Sequence, residues 1–404
     1  MVSLEIKQLH VFLLNNQFFP IGGTAIRTLN FARAIKGCVR KVHIITWQPE
    51  ENPPDKEEMR HMVQEGIAID VLCIKHQFLK KHLRFIYAMV LSFEYLIFAR
   101  KIVQKEKTCI IQCANELLWL CIIIKRIIGR PIIEDLHSMP SLKELDMFPQ
   151  TASAFQQFLS RTMLRMTQGS VEEIICPTEE LRRFLISWGV PNCKVRTISN
   201  IVFMSKDGSG KSSKEIRAEL GLGSEITVIG FHGVLKTDYN VDALYQLRKI
   251  SRIVSKELRN RVKFIIMGHY ERILVQDENF VYTGYVKNLN EYLNAVDFAV
   301  VPIFKNSLGI RSRLLDYFAM SVPVITTPVG ITGMPYARNS GAIIVRDNIE
   351  ELAQSTIELA CSPDKLEGMR KESRKMIEHF RPEEIAKELL STYTKAIENY
   401  SHST

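Results

Sequence analysis

The stretch DFAVVPIFKNSLGIRSRLLDYFAMSVPVITTPVG, running from Asp297 to Gly330, decides how this chain is read. Phe298 to Ile303 is an unbroken apolar run, as in a strand covered on both faces, and Val322 to Thr326 reads as its parallel neighbour. Between them, Leu308-Gly309-Ile310 opens a helix from Arg311 to Met320. In an open parallel sheet, ligands bind beyond the carboxyl ends of the strands, where helix N-termini present backbone N–H groups to anions. Arg311 and Arg313 fall in the first turn, where a cation opposes the helix dipole unless an anion is bound there. Asp316 follows about a turn and a half later, in reach of hydroxyls on the same ligand.

Working outward, the first half of the chain alternates short runs rich in Ile, Val and Leu with amphipathic stretches. The runs are Leu9 to Leu14, Lys41 to Thr46, Ala68 to Ile74, Cys109 to Cys113 and Pro131 to Glu134, the pattern of a doubly wound parallel sheet. A second series starts at Ile226 to Phe231 and continues through Val262 to Met267, Phe280 to Tyr282, Phe298 to Val301, Val322 to Thr326 and Ala342 to Val345. The small, polar segment Gly208 to Ser213, after the strand-like Val195 to Val202, marks the linker. The expected fold is α/β: two Rossmann-like, doubly wound parallel-sheet domains facing a cleft, residues 1–205 and 206–382. Helices at 349–361, 365–379 and 383–400 close the chain with no strand between them. A length of 404 residues agrees with two domains, since one core usually organises about 150–200.

Hydrophobic residues at 46% and charged ones at 24% exclude a disordered chain. A net charge of +9 fits nucleic acid, anionic lipid or a phosphorylated substrate, and charge alone does not choose. Nucleic acid comes last, because no recognition motif or aromatic–basic interleaving accompanies the charge. The eight cysteines form no Cys-x-x-Cys pair, which points away from zinc and disulfides and toward a reducing cytosol. Cys109 and Cys113 are read as a strand and the turn after it. Residues 1–10 lack the pattern of a signal peptide, and Leu83 to Phe98, interrupted by Arg84, Ser92 and Glu94, is shorter than the roughly 18–20 residues of a membrane span. Lys75, His76, Lys80, Lys81, His82 and Arg84 precede that apolar stretch. Such a cluster either engages anionic headgroups, at about 1 kcal/mol per cation, or is the solvated start of a core helix.

Several motifs carry chemistry. Gly208-Ser-Gly-Lys-Ser212 looks like the end of a phosphate-binding loop, but Ser205 holds the place of its first glycine and the linker reading is preferred. In Pro20-Ile-Gly-Gly-Thr-Ala-Ile-Arg27, Gly22 and Gly23 follow the first strand and can bring backbone N–H groups against a phosphate or sugar; a plain strand-to-helix turn is the alternative. His137 stands just beyond a buried strand end, in a place where ligand-facing residues gather. Glu134 and Asp135 beside it read equally as a general base or as caps of the next loop.

The segment 297–330 also resembles the nucleotide-sugar loop of GT-B glycosyltransferases, especially glycosyltransferase family 4. The family pattern Gly-x-Arg-x-Lys-x-x-Glu-Ala-x-Ala-x-Gly-x-Pro-Val is kept at Gly309, Arg311, Arg313, Asp316, Ala319, Pro323 and Val324. Residues 280–297, which contain Val286, resemble the family's Gly-x-Val strand, turn and helix. Ile174 to Thr178, Pro191 to Asn200 and Thr227 to Gly233 are similar to further family segments.

The resemblance implies that Gly22, Gly23, Gly233, Lys236, Val286, Ser307, Leu308, Gly309, Ile310, Arg311, Arg313 and Asp316 bind the donor. It further implies that Thr24 and Asp135 touch the acceptor, that His137 faces the reacting sugar, and that the helix at 383–400 packs back on the first domain. Val234 and Tyr239 or Asn240 depart from it, standing where relatives often carry an Arg and a Lys for the diphosphate. Leu308 departs too, replacing the first Glu of a Glu-x7-Glu pair. The implied activity is hexosyl transfer from a nucleoside diphosphate sugar to a hydroxyl of a saccharide or lipid-linked acceptor, with retention and with neither metal nor cofactor. The implied place is the cytoplasm, in contact with the inner face of the plasma membrane. A nucleotide-sugar epimerase on the same scaffold and a non-catalytic binding protein are the rival readings.

Overall fold

The computed structural model describes residues 6–17, 23–50, 56–75, 84–114, 118–137, 154–203, 210–235, 238–270, 273, 275–304 and 311–403. The chain divides into two compact units, Met1–Ile201 with Pro382–Thr404, and Val202–Arg381. The expected junction at 205/206 falls outside the described residues.

In the first unit the order is β1 (His10–Gln17), α1 (Gly23–Ile35), β2 (Lys41–Pro49), α2 (Lys56–Gln64), β3 (Ile67–Ile74), α3 (Arg84–Val103), β4 (Cys109–Ala114), α4 (Leu118–Ile128), β5 (Ile132–Asp135), α5 (Ala154–Gln168), β6 (Glu173–Cys176), α6 (Glu179–Ser187) and β7 (Val195–Thr197). The second unit holds α7 (Ser213–Glu219), β8 (Thr227–His232), α8 (Asp238–Leu258), β9 (Val262–Met267), β10 (Phe280–Gly284), α9 (Leu289–Asn294), β11 (Phe298–Val301), α10 (Ser312–Ala319), β12 (Val324–Thr326), β13 (Ile343–Val345), α11 (Ile349–Ala360) and α12 (Pro363–Met376). The closing helix α13 (Pro382–Ser403) belongs to the first unit.

The first sheet runs β3-β2-β1-β4-β5-β6-β7, all parallel. Val11, Leu13, Val42, Ile44, Ile110, Ile133 and Ile175 line one face and meet Ala25, Leu29, Ala32 and Ile35 of α1. Helix α13 covers the same face through Ile385, Ala386, Leu389, Tyr393 and Ala396, spaced as one helical stripe. Polar ties fix its register: the Tyr393 hydroxyl donates to Gln112 Oε1 on β4 at 2.7 Å, and Tyr400 donates to the Gly129 carbonyl at 2.8 Å. The second sheet runs β10-β9-β8-β11-β12-β13, again all parallel. Its central strands read as continuous apolar runs because helices cover both faces. In each sheet the strand order reverses once, between β1 and β4 and between β8 and β11. Ligands of open parallel sheets bind at such reversals.

Local chemistry moves several expected boundaries. Strand β7 stops at Thr197, and Asn200 leaves the sheet to bond Arg27. Cys113 lies on β4 instead of in a turn. Ser212 forms a capping box with Glu215 at the start of α7, so its hydroxyl serves a helix N-terminus and not a phosphate loop. Arg311 keeps an extended backbone as the N-cap of α10, which begins at Ser312. None of the described helices is long and apolar enough to cross a membrane.

Candidate functional site

At the carboxyl end of β8, Gly233 takes φ 152, a value that side chains rarely adopt. A Cβ there would meet Arg313 Nη2 at 2.6 Å. Gly268, after β9, would clash with the Gly233 carbonyl if it carried a side chain, so two glycines let the strand ends close on one another. Arg313 uses the space. It is 8% exposed, lies 4.7 Å over the Phe231 ring and donates through Nη2 to Asn240 Oδ1. Asn240 in turn donates to the Val234 carbonyl at 2.8 Å.

Among the described residues, Arg313 Nη1 and His232 Nε2, both buried here, have no hydrogen-bond partner. His232 stands edge-on to Tyr317 at 4.9 Å, with Nε2 3.6 Å from Asp316 Oδ2. Arg311 lies 5.6 Å over the Tyr239 ring.

The electrostatics are those of a crowded cationic site. Burial and the neighbouring Arg313 lower Arg311 to about 10, and burial lowers Arg313 despite the nearby Tyr317, Tyr239 and Asp316. Burial, with Arg313 adding to it, takes His232 down to about 3. Burial pushes the Asp316 carboxyl up to about 7 against the pull of Arg313, and water reaching its 41% exposed side chain offsets part of that push. A guanidinium with an unused N–H beside a carboxyl, at the end of a parallel sheet, is equipped to receive an anion and its hydroxyl-bearing neighbour.

Of the donor residues expected from the sequence, Gly233, Arg313 and Asp316 are brought together here, and Arg311 caps α10 beside Tyr239. Val286 is half buried in the turn after β10, two strands from β8, and takes no part in these contacts. Gly22, Lys236, Ser307, Leu308, Gly309 and Ile310 lie outside the described residues. A recess of 1010 Å³ lined by Arg252, Lys256, Phe280 and Tyr282 opens at the start of β10, away from Gly233.

The first unit holds its polar residues differently. Gly23 opens α1 after β1 as expected, and the Thr24 carbonyl accepts the Thr28 hydroxyl at 3.1 Å. Arg27 Nε lies 3.1 Å from both oxygens of Asp135, Nη1 donates to Asn200 Oδ1 at 2.7 Å and Nη2 to the Ile198 carbonyl at 2.8 Å. Gln112 donates to Asp135 Oδ2 at 3.1 Å. The Arg27 and Asp135 side chains are each 2% exposed. Asp135 therefore ties α1 to β4 and β5. Its neighbour Glu134 is fully buried with both carboxyl oxygens unpartnered, and burial, then Asp135, raises it well above the usual carboxylate range. His137 lies past the end of β5, with Nε2 unpartnered and 3.8 Å from Asp135 Oδ2. Burial brings it down to about 4 against Asp135, so the imidazole is neutral.

Sequence reasoning missed His232, Asn200 and Gln112, and it quoted Arg27 without a role. A signal existed for Arg27: it is a lone cation among the apolar positions Ala25, Leu29, Phe31 and Ala32 of α1.

Among the described residues, no group of three or more metal-ligating side chains gathers. The family model described as Glycosyltransferase Family 4 matches residues 21–205, and the model described as Glycosyl transferases group 1 matches residues 226–362. None of the curated proteins compared matches the chain. Among solved structures, HepE of Anabaena in complex with UDP and glucose aligns with a TM-score of 0.71 at 12% identity, covering 95% of this chain and 99% of that one. The E. coli structure described as trehalose-6-phosphate bound with UDP-2-fluoro glucose gives 0.67 at 14%, covering 96% and 99%. A TarM variant of S. aureus in complex with fondaparinux, alpha-GlcNAc-glycerol and UDP gives 0.67 at 11%, covering 95% and 99%. At these identities the likeness is one of fold.

Proposed function

The chain belongs to the GT-B, family 4-like glycosyltransferases, and from that premise we propose that it moves a hexosyl group from a nucleoside diphosphate sugar to a hydroxyl of a saccharide or lipid-linked acceptor, with retention. The observation that carries this reading is Arg313, buried beside Gly233 with Nη1 unused and Asp316 one turn along the same helix. A departing diphosphate needs fixed positive charge. Arg313, Arg311 and the main-chain amides opening α10 supply it without a metal ion. Asp316 accepts hydrogen bonds from the ribose hydroxyls. His137, neutral and with a free nitrogen, accepts a hydrogen bond from a hydroxyl of the reacting sugar. UDP is the first nucleotide to test, because it is bound in the structures of HepE and TarM.

A thermal-shift screen with UDP-, GDP-, ADP- and dTDP-sugars tests the donor, since ligand at 100 times its dissociation constant stabilises by roughly 2.7 kcal/mol. No shift with any of the four would sink the reading. A new sugar epimer formed from donor alone would mark an epimerase, and binding without turnover a non-catalytic protein.

Peripheral contact with an anionic membrane belongs to the same proposal. Lys80 and Lys81 lie outside the described residues, but α3 exposes Phe93 by 65% and then Arg100 and Lys101 on the following turns. Vesicle co-sedimentation that is stronger on anionic than on neutral lipid, and that fades with salt, is the expected outcome. Equal binding to both lipids, or to neither, would remove the membrane and the cytoplasmic face from the reading.

A further inference from the structure

His232 closes β8, directly before Gly233, and is 7% exposed. Its ring is braced edge-on against Tyr317, and Nε2 is buried with no hydrogen-bond partner among the described residues, 3.6 Å from Asp316 Oδ2. That separation is a small side-chain rotation longer than a hydrogen bond. Asp316 sits on α10 and is partly open to solvent, so it is the partner with freedom to move.

We propose that His232 is a positioning residue for Asp316: its Nε2 holds Oδ2 and leaves Oδ1 directed at the hydroxyls of a bound ribose. The inference rests on the reading that Asp316 meets the ribose of a nucleotide. A neutral imidazole suits the task because one nitrogen serves both states of the carboxyl. Nε2 accepts a hydrogen bond from the O–H of a carboxylic acid, and in the other tautomer Nε2–H donates to a carboxylate. No bond other than N–H and O–H changes, and the proton released on ionisation goes to solvent.

The groups facing the pair are Arg313, which also meets the His232 side chain through its backbone, and Tyr317, both on α10. With His232 lowered to about 3 and Asp316 raised to about 7, the histidine stays neutral across the physiological range while the aspartate titrates. Ribose hydroxyls donate best to the ionised form. Nucleotide affinity therefore rises with pH as Asp316 loses its proton.

Calorimetric titration of the full chain with UDP across about pH 5.5–8.5 tests this, using wild type, His232→Phe and His232→Gln. Wild-type affinity should climb as pH rises toward about 7. The Phe variant keeps the ring against Tyr317 but should bind about tenfold more weakly at the alkaline end, the effect of one hydrogen bond. The Gln variant, whose amide donates to the carboxylate, should recover most of that loss. A Phe variant with wild-type affinity and pH profile would overturn the proposal. Should neither UDP nor GDP, ADP or dTDP bind wild type, the nucleotide reading is what has failed, and the pair is then tested alone by ¹⁵N NMR. The His232 Nε2 resonance should move on Asp316→Asn, and an unmoved resonance would overturn the pairing itself.

Discussion

Each unit buries one guanidinium near the carboxyl ends of its sheet, and the two are treated in opposite ways. Arg27 in the first unit meets Asp135, Asn200 and the Ile198 carbonyl, so its donors are answered within the protein. Arg313 in the second unit has one side-chain amide, an aromatic face and an idle Nη1. Burying a charge is costly, and proteins ordinarily compensate with a counter-charge and hydrogen bonds. A buried cation answered in full is holding the fold together. One answered in part has a donor left over, as a ligand-binding cation does.

The sharpest way to break this contrast is to remove both cations and compare stability. Arg27→Met leaves Asp135 enclosed without its partner and should cost about 3–5 kcal/mol in urea unfolding. Arg313→Met removes a cation that has no buried carboxylate to strand, and should change stability by less than about 1.5 kcal/mol. Equal losses would mean that Arg313 is structural too.

His137 sharpens the contrast from the first unit's side. It is half-buried and neutral, with Nε2 unpartnered among the described residues, a state that resembles that of the second unit's cluster. His137→Ala should reduce turnover by a factor on the order of 10²–10³, comparable to losing one transition-state hydrogen bond, with nucleotide affinity near wild type. Wild-type turnover would return His137 to a purely structural place.

For binding, Arg313→Met and Arg311→Ala should each weaken nucleoside diphosphate affinity by roughly 1.5–3 kcal/mol, the range for hydrogen bonds to charged groups. Unchanged calorimetry for Arg311→Ala would leave Arg313 as the cation that matters. The Arg27 position should show no such effect in whatever fraction folds.

How much of this was legible beforehand follows from what sets each feature. The two parallel sheets were, because strands covered on both faces must be apolar throughout, as Phe298 to Val301 and Ile229 to Phe231 are. Gly233, Arg313 and Asp316 were legible too, since they lie just past such strands. The partners were not. Arg27 finds Asp135 across 108 residues and Arg313 finds Asn240 across 73, and no local pattern records those meetings. Nor does a sequence say that Asn240, standing where a lysine was expected, is buried and turned to receive an arginine from another helix. His232 was invisible for the same reason: its chemistry lies in what it lacks, a partner for Nε2, and that is known only when everything around it is placed.

Glu134 offers the finest test, because it is an under-answered buried group in the unit where buried groups are otherwise answered. Both its oxygens lack partners, as Arg313 Nη1 does, yet it sits next to a carboxylate that meets a cation. The contrast survives if Glu134 avoids the cost of a buried charge by holding its proton. Its folded value lies well above the ordinary 4.5, with burial the main cause and Asp135 adding to it. The folded state then binds more protons than the unfolded state once pH exceeds 4.5, so stability is greatest in acid and falls as pH rises toward the folded value. Glu134→Gln keeps the shape and removes the titration. The variant should match wild type near the unfolded value and become progressively more stable than wild type as pH increases, measured by urea midpoints across the range. A variant that loses stability more steeply than wild type toward high pH would show that Glu134 is ionised in the fold. It would then be a second unanswered charge, in the unit where the comparison says there should be none.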